Sequence, residues 1–120
     1  MNKVVNLAEK FAKFSDCWSP KIIGDLNDCY VKAAKFNGEF TWHKHETEDE
    51  LIMVVRGSIT IQFRDRDVEV KEGEFFIVPK GVEHCPRAAE TADVLLLEPK
   101  STLNTGDVIN ERTVEELEWI

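Results

Sequence analysis

The chain is poor in the residue types that would point to several common architectures. It has three cysteines among 120 residues, Cys17, Cys29 and Cys85, and no C-x-x-C pair. A disulfide framework, a thiolate zinc site and a redox dithiol are therefore all disfavoured. No apolar run approaches the length that spans a bilayer; the longest, such as Leu51 to Val55 and Val94 to Leu97, have the length of strands. The N-terminal stretch MNKVVNLAEKFAKF has charges spaced through it and no apolar h-region, so it does not read as a signal peptide. Reduced thiols without a leader make the cytosol the expected compartment. Positive charge is also scarce. Fifteen basic side chains face 23 acidic ones, for a formal net charge of −8. Nucleic acids and anionic membranes bind basic patches, so neither is an expected partner. There is no phosphate-cradling glycine loop, and no nucleophile has an uncommitted histidine nearby, which argues against nucleotide-dependent and Ser-His or Cys-His chemistry.

What remains fits one folded domain over residues 1–120, with 42 % apolar residues. Asn6 and Glu9 form a capping box, and Leu7, Phe11 and Phe14 share a face. A helix over 6–14 is expected. Residues 16–27 look irregular. The strand candidates are Cys29 to Phe36, Glu39 to His45, Glu50 to Val55, Ser58 to Phe63, Val68 to Val70, Glu74 to Val78 and Val94 to Leu97. Breakers separate them: Asn37-Gly38, Gly57, the charged tetrad Arg64 to Asp67, Gly73, and Pro79 with Gly81. Ile59, Ile61 and Phe63 alternate with Ser58, Thr60 and Gln62, the mark of one buried and one wet face. The pattern predicts an all-β sandwich or barrel core over about 28–100. A loop-like tail over 101–120 follows, in which Thr113 and Glu116 suggest a final helical turn.

The three histidines, His43, His45 and His84, all fall in one spaced pattern. His43 and His45 lie two apart in a stretch that reads as strand, so both point to the same face, roughly 7 Å apart. Glu50 follows after a short turn, and His84 arrives from another part of the sheet after Pro79-Lys80-Gly81. Three neutral imidazoles and one carboxylate suit a borderline divalent ion such as zinc, iron, manganese, nickel or copper, whereas calcium and magnesium prefer oxygen shells. Four protein donors in an octahedral shell would leave two positions open, as a working site requires. Glu48 shares the parity of Glu50 and is a candidate at the pocket mouth. Arg56 shares the parity of Glu50, Ile52 and Val54 and is a candidate to hold an anionic substrate inside the barrel. Cys85 is expected to be a small hydrophobe on the opposite strand face. Trp42 alternates with His43 and should face outward, toward a subunit contact or beneath a terminal segment.

These residues resemble the cupin superfamily. Its first motif, G-x5-H-x-H-x3,4-E-x6-G, is matched by GEFTWHKHETEDELIMVVRG from Gly38 to Gly57, with His43, His45, Glu50 and Gly57 in place. Its second, G-x5-P-x-G-x2-H-x3-N, is matched by GEFFIVPKGVEH from Gly73 to His84. Gly38 stands one residue closer to His43 than the pattern has it, and Ala88 replaces the final asparagine. The six-residue step to Gly57 selects Glu50 over Asp49 as the acidic ligand. The likeness is to small single-domain cupins sometimes labelled mannose-6-phosphate-isomerase-like. It implies an antiparallel jelly-roll (cupin) barrel with short terminal helical segments and one divalent metal on His43, His45, Glu50 and His84. A homodimer and a small-molecule ligand are also implied. The implied activity is isomerase, lyase or dioxygenase chemistry on a sugar or keto acid, with Glu50 as ligand and proton carrier. The alternative is a non-catalytic module that docks a carbohydrate through the metal.

Overall fold

The computed structural model describes residues 3–120. Its elements run α1 (Leu7–Phe11), β1 (Lys21–Leu26), β2 (Cys29–Glu39), β3 (Glu50–Arg56), β4 (Ser58–Phe63), β5 (Asp67–Lys71), β6 (Phe75–Val78), β7 (His84–Pro99) and β8 (Glu118–Trp119). The long strand β7 organises the rest. One of its edges pairs antiparallel with β2 from Arg87 to Pro99. The other edge pairs with β4 over His84 to Arg87 and with β3 over Asp93 to Leu97. β5 extends the β4 side and β6 extends the β3 side, while β1 and then β8 continue outward from β2. β7 thus sits at the branch point of one eight-stranded sheet, with β2 along one edge and β4 and β3 in turn along the other, in keeping with a jelly roll.

The branch is made at Gly57. β3 and β4 are consecutive but do not pair with each other; each pairs with a different stretch of β7. Gly57 has φ +94°, and a Cβ on it would lie 3.2 Å from the Cβ of Ala92 on β7. Both the backbone angle and the close approach call for glycine.

Inward-facing residues of β2, β3, β4 and β7 form the main core, including Ala34, Phe36, Ile52, Val54, Ile59, Ile61, Val94 and Leu96. The alternation read along Ser58 to Phe63 is realised: Ile59, Ile61 and Phe63 are buried, and the residues between them are not. The charged tetrad forms the β4–β5 hairpin, with Phe63 N–H donating to the Arg66 carbonyl. A second, smaller cluster lies under α1, where Phe11 is buried with Ile23 and Ala33. The Asn6 side chain accepts from Glu9 N–H, as the capping box predicts. The helix stops at Phe11, short of Phe14.

Several element boundaries differ from expectation. Residues 21–26 form β1, not an irregular segment, because pairing with β2 overrides the weak propensity around Gly24. Asn37-Gly38 does not end a strand: β2 passes through it with a register shift between Phe36 and Gly38. Residues 40–45, expected as strand, keep only the single bridge His43–His84. β7 starts ten residues before the predicted Val94. In the tail, the Thr113 hydroxyl accepts from Asn110 N–H and bonds the Thr105 hydroxyl, so it caps a loop. The chain then closes with β8 parallel to β1. The described helices include none long and apolar enough to cross a membrane.

Ile61 is fully buried and Ile109 is 69 % exposed. Ile61→Ala is expected to lower stability by about 2–5 kcal/mol in urea unfolding, through lost burial and the cavity left behind. Ile109→Ala should change it by no more than about 0.5 kcal/mol. Equal losses at the two positions would contradict the assigned core.

Candidate metal centre

The candidate ligands come from three places in the chain that β7 and β3 bring together. His84 opens β7, and Glu50 opens β3. His43 and His45 lie on the loop after β2. This loop is tied antiparallel to the start of β7: His43 N–H donates to the His84 carbonyl at 3.0 Å and His84 N–H donates back at 2.9 Å. Phe40 N–H donates to the Pro86 carbonyl on one side, and Gly81 N–H to the His45 carbonyl on the other. Those bonds give the loop a local strand geometry, so the i, i+2 reasoning holds for His43 and His45 even though no extended strand forms there.

One nitrogen from each of His43, His45 and His84 lies within 4.8 Å of the other two, and all three residues are buried. His43 Nδ1 is 2.7 Å from the Thr41 carbonyl, and His84 Nδ1 is 2.9 Å from the Val82 carbonyl. A carbonyl can only accept, so Nδ1 carries the proton in both rings and the Nε2 lone pair is left as donor. The same outer contacts fix metal-binding imidazoles generally. His84 Nε2 and both nitrogens of His45 are buried with no hydrogen-bond partner. Buried polar atoms without partners are costly, and a shared cation would satisfy these. The Glu50 carboxylate completes the cluster, 3.7 Å from His45 Nε2 and 3.5 Å from His84 Nε2. The donor set thus fits one borderline divalent ion.

Burial, foremost, holds all three imidazoles below their ordinary pKa of 6.5; for His43, with repulsion from His84 added, the value falls to about 3. The rings are therefore neutral at physiological pH without a metal present, which is the form that coordinates.

The acids around Glu50 have separate uses. Asp49 accepts from Lys80 N–H, closing the turn before His84, so it is unavailable as the ligand. Glu48 accepts from the Ser101 hydroxyl on the tail, and from there its charge acts on His45. Arg56 does not reach into the barrel. A register shift between Val54 and Arg56 breaks the strand parity on which that expectation rested, and the side chain is 75 % exposed beside Asp93. Cys85 is fully buried, and desolvation pushes its thiol up to about 11, so it behaves as a small apolar side chain. Trp42 is half-buried under the Arg64 guanidinium, 3.8 Å from its ring.

Two groups at the site went unread in the sequence. Glu98 follows Val94 and Leu96 on the inward face of β7 and lines the hollow at the centre together with Glu50 and His43. Its Oε1 accepts from the Lys32 ammonium at 2.8 Å, with both side chains 1 % exposed. Burial and the neighbouring Glu50 charge hold the Glu98 carboxyl well above the usual range, against the downward pull of Lys32. The signal was present as parity, Val94-x-Leu96-x-Glu98 and Lys32-x-Ala34-x-Phe36, but a charge at a strand end reads as solvated. The tail was the other omission. Lys44 and Asp107 exchange two hydrogen bonds, Asp107 N–H to the Lys44 carbonyl and Lys44 N–H to the Asp107 side-chain Oδ1. Asn104 enters the lining of the hollow.

Two outcomes follow from this electrostatics. Unfolded histidine takes up its proton near pH 6.5, whereas folded His43 does so only near pH 3. Between those values the unfolded state binds more protons, so acidification removes stability. Metal-free protein should lose up to about 1.4 kcal/mol per pH unit for each histidine held neutral, starting below about pH 6.5. Denaturant midpoints from pH 7.5 to 5 would measure it, and a flat profile would refute it. Separately, Lys32→Met strands a buried carboxyl and should cost about 3–5 kcal/mol, most of it recovered in the Lys32→Met/Glu98→Leu double variant. Equal instability of single and double variants would show that the pair is not coupled.

Residues 34–100 match the Cupin domain. The chain is 36 % identical over 96 residues to the uncharacterized protein YdbB of Bacillus subtilis (strain 168), covering 73 % of this chain and 79 % of that protein. Among solved structures, it resembles a cupin-2 domain containing protein from Shewanella frigidimarina NCIMB 400. That match has a TM-score of 0.80 and 41 % identity, and covers 81 % of this chain and 95 % of the other. It also resembles protein NMB1881 from Neisseria meningitidis, with a TM-score of 0.75 and 29 % identity, covering 82 % and 100 %. The matched domain holds all four candidate ligands and the strands that carry them, and on that evidence the chain belongs to the cupin family.

Proposed function

We propose that this protein is a metal-dependent cupin enzyme. One divalent transition-metal ion would be held by His43, His45 and His84 through Nε2 and by Glu50 through its carboxylate. The observation that carries the reading is the convergence of three buried, neutral imidazoles, of which His84 Nε2 and both nitrogens of His45 lack any hydrogen-bond partner in the protein. When bound, such an ion supplies Lewis acidity toward a substrate oxygen, or one-electron chemistry if it is iron, manganese or copper.

The chain's own groups support turnover over mere docking. The Thr41 and Val82 carbonyls keep two of the rings in the coordinating tautomer. Glu98 places a second buried carboxyl beside Glu50, outside the donor set, where a proton can be held during reaction. Apolar side chains such as Phe40, Ile52 and Leu96 line part of the hollow, and their low polarity strengthens charge interactions beside them.

Protein purified without chelator or nickel resin should contain close to one divalent ion per chain by elemental analysis. It should melt at a higher temperature than the metal-free form, by the mass-action stabilisation that binding to the folded state confers. His84→Ala should lose both the ion and the shift, along with any turnover detected in a screen of small oxygenated compounds. Identical melting of wild-type protein with and without zinc, manganese or iron would overturn the metal centre. Tight binding of compounds that are never converted would leave a docking module instead of an enzyme.

A further inference from the structure

The hollow against the cluster leaves about 30 Å³ of free space, room for roughly two waters and for no organic ligand. The tail covers one side of it. Asn104 enters its lining. Gly106 lies so close to His43 that a Cβ on it would come within 3.0 Å of a ring carbon. Arg112 sets its guanidinium 5.7 Å from the Phe40 ring and 5.9 Å from the Trp18 ring, and both rings belong to the same lining.

Two observations make this segment a unit that can lift. Residues 104–114 are stitched to themselves. The Asn104 side chain donates to the Arg112 carbonyl at 2.8 Å and accepts from Val114 N–H at 2.9 Å, so the two ends of the loop meet. The Thr105 and Thr113 hydroxyls bond across it at 2.7 Å. A compact loop with adjoining ends, packed by its own side chains, is an Ω-loop. Its hold on the barrel, by contrast, is polar. None of its residues belongs to either apolar cluster or packs against one. The ties are the two Lys44–Asp107 hydrogen bonds, Asn110 Nδ2 to the Thr41 hydroxyl at 3.2 Å, and Arg112 Nη1 to the Glu39 carbonyl at 2.6 Å. Arg56, Arg64, Arg66 and Arg87 each pair with a carboxylate, whereas among the described residues Arg112 pairs with none. Water can replace such bonds at small net loss, so a segment held by them opens more readily than one held by buried apolar surface.

We propose that residues 104–114 form a flap over the metal centre, latched by Arg112 and Asn110 and hinged where Asn104 meets Val114, and that ligands enter only when it lifts. This rests on the metal-centre reading and names how access to that site is regulated. In the closed form the flap leaves space for water alone beside the cluster; lifted, it takes Asn104 out of the lining and Gly106 off His43.

All three histidines of the chain lie in the cluster, each no more than 3 % exposed. Histidine labelling by diethyl pyrocarbonate, followed by ultraviolet absorbance on metal-free protein, therefore reports access to this site and nothing else. The reagent is too large for the closed hollow. Arg112→Ala should speed labelling about tenfold and Asn110→Ala about threefold, the loss of one charged and one neutral tie, with urea midpoints close to wild-type. Ile109→Ala, on the same loop but without a tie, should leave the rate unchanged. Zinc-loaded protein gives a second reading. In excess EDTA, zinc should leave Arg112→Ala about tenfold faster than wild-type and enter the metal-free variant faster by the same factor, because a flap alters both rates and not the affinity. Unchanged labelling in Arg112→Ala would overturn the flap. So would labelling that rises only in proportion to the unfolded fraction, or zinc release that rises without uptake. Absence of zinc binding would sink the metal centre alone, and labelling of the metal-free protein would still decide the flap.

Discussion

Two backbone hydrogen bonds exchanged between His43 and His84 join the halves of the site. They register a loop that follows β2 against the first residue of β7, and they do so at the residues whose side chains must meet. In an antiparallel pair, residues that exchange both bonds sit directly opposite, with their side chains on the same face. The ring centroids of His43 and His84 are consequently 4.4 Å apart. Everything further depends on that junction: His45 follows two residues along the same face, and the Pro79–Gly81 turn is drawn in through the His45 carbonyl.

β7 carries this local arrangement into the rest of the molecule. Its first residues serve the histidines and β4, and its last residues serve β2 and β3, where Glu98 and Glu50 come together. A single strand therefore delivers one imidazole at its start and one buried acid near its end. The interior of the barrel is apolar toward Ile59 and Ile61 and becomes polar only near the cluster. Charges placed there interact strongly because little water screens them.

Much of the cluster was legible because its signal is chemical and local. Only three histidines occur, their spacing matches strand geometry, and the step from Glu50 to Gly57 separates Glu50 from Asp49. Six of the seven expected strands fall on observed ones, most clearly where alternation was strong, as at Ile59, Ile61 and Phe63. What escaped was set by pairing across the fold. β1 exists because β2 accepts it, and the first half of β7, with Pro86 and a run of polar residues, has no strand pattern of its own. Lys32 and Glu98 are 66 positions apart and only make sense as a buried pair once β2 and β7 are in register. Arg56 failed for a related reason. Parity counts are valid only while no residue slips in the ladder, and one does so after Val54.

The tail lies beyond the span that matches the Cupin domain, yet it is built into the centre. Gly106 has φ +58°, and a Cβ there would fall 2.2 Å from the Lys44 carbonyl oxygen and 3.0 Å from a ring carbon of His43. Backbone packed that closely leaves no slack. Across related chains, length changes should be tolerated at the exposed Arg64–Arg66 hairpin but excluded between Ser101 and Asp107, where one inserted residue would move a bulky side chain onto an imidazole. The spacing from Lys44 to Gly106 is thus set by packing against His43, in a segment that carries no metal ligand.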